Sequence, residues 1–354
     1  MTDVAGIVDA CAHPIVQRGD DLKAYMGEVW KQRFFPAPER YLYPHPVSDF
    51  APGTRPEEGA PGSDRALFES QLFAGGVETA ILLPLTRGLS PDIDLGSEIC
   101  SATNRWLAEV WLEDTGADGR FRGSIRVNPH DPEGAVKEIR RWSDHPGFVQ
   151  VAVPMEAHAP YGKRQYLPVW QAAVEAGLPV AVHTDDGAGV EFPPSPVGYF
   201  RHHIEYSSFV SFNFFYHLSS LIAEGVFDRM PTLKFVFADG GADSVMAFMW
   251  RLNDHWRAVR HEQPWVKHLP TEYLRDHARF CLSRMELPED EEALARWIDV
   301  NDGANLWLYA SNYPHWSYAT PQQLNEPAFP AEAFERVFRQ NAADLYGLTT
   351  SVPA

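Results

Sequence analysis

Val77-Glu78-Thr79-Ala80-Ile81-Leu82-Leu83 is a short, mostly apolar run, and the segment over residues 95–113 that follows it places its apolar positions at helical spacing. A strand apolar on both faces, trailed by an amphipathic helix, is the building unit of a parallel sheet covered by helices. Working outward, the same alternation recurs. A helix over 64–74 precedes this strand, and an earlier strand covers 6–10. Downstream, strands are expected over 121–127, 148–153, 179–183, 233–238, 278–283 and 306–310, separated by helices over 132–142, 167–176, 202–224, 242–256 and 288–300, with a closing helix over 331–346. Asp131 and Pro132 supply an N-cap and a first-turn proline, and Gly177 closes the helix before it. Eight strands, each followed by a helix, predict an α/β fold: a distorted (β/α)8 TIM barrel whose chemistry sits at the C-terminal ends of its strands. No internal repeat or low-complexity tract interrupts it, so residues 1–354 read as one barrel domain.

The exception is 17–61, a Pro-rich insertion after strand one with little periodicity. It carries Tyr25, Trp30, Phe34, Phe35, Tyr41, Tyr43 and Phe50, an aromatic load that fits a lid over the barrel mouth or a partner surface.

Composition narrows the function classes. Thirty basic residues against 48 acidic ones give a formal charge of -18, a field that repels nucleic acid and anionic membrane surfaces. The longest uncharged run, 206–223, is laced with serines, Asn213 and His217, so membrane insertion is not expected. Cys11, Cys100 and Cys281 form no disulfide framework, and no basic start leads into an apolar stretch, so a cytoplasmic protein is expected. The partner these features leave is a small-molecule substrate. Phosphate-binding, dinucleotide, Gly-Xaa-Ser-Xaa-Gly, CxxC and HExxH patterns do not occur, and no nicotinamide, flavin or nucleotide cofactor is indicated.

In a barrel, polar residues after each strand share one cavity. Strand one delivers Asp9, Cys11 and His13; strand five His183, Thr184, Asp185 and Asp186; strand six Asp239; strand eight Asn312 and His315. Side chains two apart on a strand point the same way, so Cys11 and His13 can grip one ion together, and with His183 they suit zinc or a similar divalent cation.

These segments carry a resemblance. Val8-Asp9-Ala10-Cys11-Ala12-His13 resembles the first-strand metal motif of the amidohydrolase superfamily, and His183 its next metal-binding histidine. Ser311-Asn312-Tyr313-Pro314-His315 looks like that family's Ser-Asp-Tyr-Pro-His segment, and the stretch over 218–241 is similar to the signature of the amidohydrolase-related branch. That branch includes the aminocarboxymuconate-semialdehyde, γ-resorcylate and 5-carboxyvanillate decarboxylases. The resemblance implies a metal site of Cys11, His13, His183 and Asn312, catalytic roles for Asp239 and His217, substrate contacts from Asp185 and His315, and a homodimer. The implied activity is a metal-dependent hydrolase or carbon–carbon lyase, decarboxylase-like, acting on a small carboxylate or cyclic substrate, with one divalent metal, Zn or Mn.

Three positions depart from the family pattern. Cys11 replaces a His, Asp or Glu ligand, Asn312 replaces an Asp, and Asp239 stands before Gly240-Gly241 where the decarboxylases carry a catalytic His. The last argues against aromatic decarboxylation more than against membership. A Cys11 thiolate with neutral Asn312 keeps the one negative ligand charge of a three-His, one-Asp set, but Asn312 cannot take a proton, which leaves Asp239 as acid/base. The competing reading is a degenerate barrel that binds no metal and serves as a binding or assembly partner. On that reading Cys11 is an inert buried thiol, His13 a loop residue and His217 part of a packed helix.

Overall fold

Eight parallel strands lie side by side in chain order: β1 (Ile7–Ala12), β2 (Val77–Leu82), β3 (Phe121–Arg126), β4 (Phe148–Pro154), β5 (Val180–His183), β6 (Phe235–Phe237), β7 (Ala278–Cys281) and β8 (Trp307–Leu308). The computed structural model describes residues 6–18, 20–33, 50–86, 90, 92–113, 119–185, 198, 200–283 and 285–348. β8 meets β1 through Ala10 N donating to Tyr309 O (2.9 Å), His13 N to Tyr313 O (2.7 Å) and Asn312 N to Cys11 O (3.1 Å). The sheet thereby forms a nearly closed (β/α)8 TIM barrel.

Helices follow the strands as their capping residues dictate. They are α1 (Arg65–Phe73), α2 (Ile93–Val110), α3 (Pro132–Trp142), α4 (Leu167–Glu175), α5 (Phe212–Ala223), α6 (Val245–Val259) and α7 (Glu291–Val300). The side chains of Asp64, Asp92, Asp131 and Asp290 accept from the backbone N–H three residues on, at the starts of α1, α2, α3 and α7. A helical stretch over 331–346, with a π turn over Arg336–Gln340, ends the described fold.

Two apolar layers hold the barrel. Val8, Ile81, Ala152, Ala181, Val236 and Leu308 fill its interior, while Phe68, Leu107, Trp170, Phe214 and Phe235 pack between sheet and helices. Strand alternation sorts them, neighbours in sequence pointing to opposite faces. The interior also holds a polar chain: Tyr346 Oη donates to Gln150 Oε1 (3.0 Å), and Gln150 Nε2 to Ser124 Oγ (2.8 Å), which donates on to Leu82 O (2.8 Å).

The boundaries differ from the sequence reading in two places that matter. Strand one continues past residue 10 to Ala12, with a register irregularity between Asp9 and Ala12, so Cys11 lies inside the strand rather than after it. Such bulges re-aim side chains at barrel rims. The expected helix over 202–224 is two, His203–Phe209 and α5, because Asn213 N and Phe214 N bond only three residues back and tighten the turn at 210–211.

Of the insertion, residues 34–49 lie outside the described residues, and with them Phe34, Phe35, Tyr41 and Tyr43. Residues 20–33 pack on α2: Gly27 N donates to Glu98 Oε1 (2.7 Å), and Arg105 Nε to Tyr25 O (2.6 Å). Phe50 does reach the mouth, where it forms an isolated antiparallel bridge with His315. No described helix is long and apolar enough to cross a membrane.

Candidate metal centre

The bulged end of β1 and the end of β5 bring three ligand-bearing side chains into one buried spot. The ligand atoms of Cys11, His13 and His183 all lie within 4.8 Å of one another. Cys11 Sγ is 3.7 Å from His13 Nε2, and the His13 and His183 rings sit edge to face at 4.6 Å between centroids. A tetrahedral zinc with bonds of ~2.0–2.3 Å separates its donors by roughly 3.3–3.8 Å, so this set needs little adjustment to grip one ion.

Second contacts orient the rings. His13 Nδ1 donates to Leu83 O (2.8 Å) and His183 Nδ1 to Thr184 O (2.6 Å), the backbone-carbonyl arrangement that turns the other ring nitrogen towards a metal. With the proton of a neutral His13 ring on Nδ1, its Nε2 presents a lone pair, and Asn312 Oδ1, another lone-pair donor, stands 2.7 Å away. Asn312 Nδ2 donates to Ser317 Oγ (2.5 Å), which turns the amide oxygen towards the ring. Converging lone pairs from nitrogen, oxygen and sulfur are a donor set that a cation satisfies. Burial above all, then Cys281, Asp9 and Asp239, hold the Cys11 thiol well above its ordinary range, so taking up a cation as thiolate would release a proton.

Asn312 occupies its place through an unusual backbone. Its φ is +58°, in the left-handed region that Asn and Asp enter more readily than other side chains. Asp9 fixes the seam beneath: its Oδ1 accepts from Ser311 N (2.9 Å) and Cys11 N (3.1 Å). His315 stacks edge-on against His13 at 5.0 Å and face-on against Phe50 at 5.9 Å, which places it at the rim of the same site.

Beside the ligands lies a polar cluster on the ends of β3, β4, β5 and β6. Arg126 Nη2 donates to Asp185 Oδ2 (2.5 Å), both side chains being 1% exposed, and Thr86 N donates to Asp185 Oδ1 (2.8 Å). The Asp185 carboxylate, expected to contact substrate, is thus bound to Arg126 and Thr86. Asp185 N donates to Glu156 Oε2 (3.2 Å), and Thr184 Oγ1 to Asp239 Oδ2 (2.8 Å). Glu156 is pushed up to about 8, chiefly by burial and further by Asp185 and Asp239. Arg126 and Glu156 were missed in the sequence; the strand-end rule points to both, since Arg126 ends β3 and Glu156 follows β4 directly. Asp186 lies outside the described residues.

His217 is built differently from the catalytic residue expected. Its Nδ1 accepts from Tyr161 N (3.1 Å), its Nε2 donates to Met155 O (2.6 Å), and its ring stacks on Tyr161 at 4.1 Å. With both nitrogens spent on backbone, it has neither proton nor lone pair for a substrate. Its work is to pin the segment that carries Glu156 onto α5.

Solved structures match this chain over nearly its whole length. An amidohydrolase from Mycobacterium avium subsp. paratuberculosis superposes with a TM-score of 0.74 at 22% identity, covering 99% of both chains. The 5-carboxyvanillate decarboxylase of Sphingomonas paucimobilis gives a TM-score of 0.67 at 21% identity, covering 97% of this chain and 99% of that one. A dihydroxybenzoic acid decarboxylase from a Polaromonas species, solved with bound manganese and the inhibitor 2-nitroresorcinol, gives 0.65 at 18% identity over 98% of each chain. The amidohydrolase family profile matches residues 9–348, from Asp9 beside the candidate ligands to just past the last helix. The chain belongs to the amidohydrolase family.

Proposed function

We propose that the protein is a metal-dependent carbon–carbon lyase of the decarboxylating kind, acting on a small carboxylate, with one divalent cation held by Cys11, His13 and His183 and by the Asn312 amide oxygen. The observation that carries this reading is the buried convergence of those donor atoms at the strand ends of the barrel. Similarity to decarboxylases, one of them with manganese, supports the reaction class. The sulfur ligand favours zinc over manganese, since soft thiolate suits zinc and manganese prefers oxygen. A bound cation would act as a Lewis acid on substrate oxygens.

The chain's own residues do the rest. His315 and Phe50 wall the mouth on the side of β1 and β8. Asp239, held by Thr184, serves as the proton-accepting carboxylate of the site. The Arg126–Asp185 pair presents fixed charge in a buried setting where it costs no reorganisation during reaction.

Zinc-loaded protein given 5-carboxyvanillate as probe should release CO2, and His183→Ala should lower the rate at least ~100-fold, the upper end of what even outer metal-site partners contribute. A wild-type rate in His183→Ala, or no CO2 from this probe and related hydroxybenzoates, would overturn the decarboxylase reading.

A further inference from the structure

In a decarboxylating reaction a proton must replace the departing carboxyl group, and it needs a source in the site. Three carboxyl groups crowd this end of the barrel, Glu156 at 7% exposure, Asp185 at 2% and Asp239 at 1%, and among the described residues one guanidinium, that of Arg126, neutralises Asp185. Buried like charges do not all ionise; one group keeps its proton.

Geometry selects which. Asp185 is salt-bridged and accepts from Thr86 N, and Asp239 accepts from Thr184 Oγ1. Glu156 accepts from Asp185 N through Oε2 and interacts with its own backbone N–H, and its Oε1 is buried with no hydrogen bond among the described residues. It stands one residue past Met155, whose N–H donates to His183 O (2.7 Å), so the carboxyl is tied to the strand that carries a candidate ligand. Asp239 acts electrostatically on both Cys11 and Glu156, which puts all three near one another at this end of the barrel.

We propose that Glu156 carries the exchangeable proton of this site at neutral pH and delivers it to the carbon from which the carboxylate departs. The inference rests on the decarboxylase reading for its second half. In the step, the bond between that carbon and the carboxyl group breaks and CO2 leaves. The electron pair forms a C–H bond with the Glu156 proton, leaving Glu156 a carboxylate that regains its proton from solvent. Charge balances, one anion entering and one remaining. The groups acting on Glu156 are Asp185 after β5 and Asp239 after β6, with Tyr161 of its own loop nearby, Arg126 paired to Asp185, and His217 behind Met155. The two acids oppose its ionisation, and burial, which the upward shift to about 8 reflects, does the same. A carboxyl group that burial and neighbouring acids keep protonated is suited to act as a general acid, the role assigned here to Glu156.

Infrared difference spectra of the zinc-loaded protein across pH 6 to 10 test the first half without substrate. A protonated-carboxyl band titrating near pH 8 is expected in the wild type and absent in Glu156→Gln at unchanged metal stoichiometry. Should that variant fail to fold, selective 13C-glutamate labelling of the wild type reads the same titration. No such band at neutral pH, or a band that survives the substitution, overturns the proposal. With 5-carboxyvanillate as probe, kcat should fall ~100-fold in Glu156→Gln with KM little changed, and the wild-type kcat should decline above pH 8. A wild-type kcat in the variant overturns the delivery step. A titrating band with no CO2 release supports the neutral Glu156 while overturning the decarboxylase reading and, with it, the delivery.

Discussion

Asn312 is the residue on which the metal site turns. Its side chain contacts the His13 ring and its backbone N–H bonds Cys11 O, so it belongs to both the ligand set and the β8–β1 seam. The left-handed backbone it adopts is one that Asp also tolerates, and Asn312→Asp should therefore fold. A carboxylate adds a negative charge and a stronger oxygen ligand, so the variant should bind zinc at least ~10-fold more tightly by calorimetry. Equal affinity would mean that the Cys11 thiolate already satisfies the ion, and a charge-weakened site would be the wrong description. At this scale the sequence was legible where periodicity and strand ends coincide, as for Cys11, His13 and His183. For Glu156 and Arg126 the strand-end rule gives the position, but their burial and pairing come from neighbouring strands and are not written in the segments Ser124-Ile125-Arg126 or Pro154-Met155-Glu156.

Among elements, the loop after β4 and helix α5 form a unit, joined by His217. The residue directly precedes the stretch that resembles the family signature, and its type suggests chemistry; only the partners of both ring nitrogens reveal a clamp. Replacing it with alanine strands a buried N–H on Tyr161 and a carbonyl on Met155, and each such group costs about 1–3 kcal/mol. His217→Ala should accordingly be destabilised by several kcal/mol in urea titrations near neutral pH. Burial lowers His217 to about 4, so the folded protein binds its proton less readily than the unfolded chain does. The stability this neutral ring contributes is present above pH 6.5 and lost as pH falls towards 4. The gap between wild type and variant should narrow over that window, and a gap that stays constant would assign His217 a role other than the one drawn here. The same two helices show why the helix expected over 202–224 was read as one: residues 210 and 211 keep helical angles, and only the shortened hydrogen bonds mark the turn.

For the molecule as a whole, the barrel was legible because most strands are short apolar runs and four helices begin at an Asp cap, so local signals agree with the global fold. What spacing could not supply was the register irregularity between Asp9 and Ala12 where β1 pairs with β2, beside the ligand-bearing residues. The residues Cys11, Asn312 and Asp239 all lie buried at the same end of an intact barrel. Everything proposed about activity depends on that site holding a cation. Elemental analysis of protein expressed and purified without chelators tests this directly. About one zinc per chain is expected in the wild type, and its loss in a folded His13→Ala. Metal-free wild-type protein that takes up no zinc on dialysis, or zinc retained in full by the variant, would contradict the account.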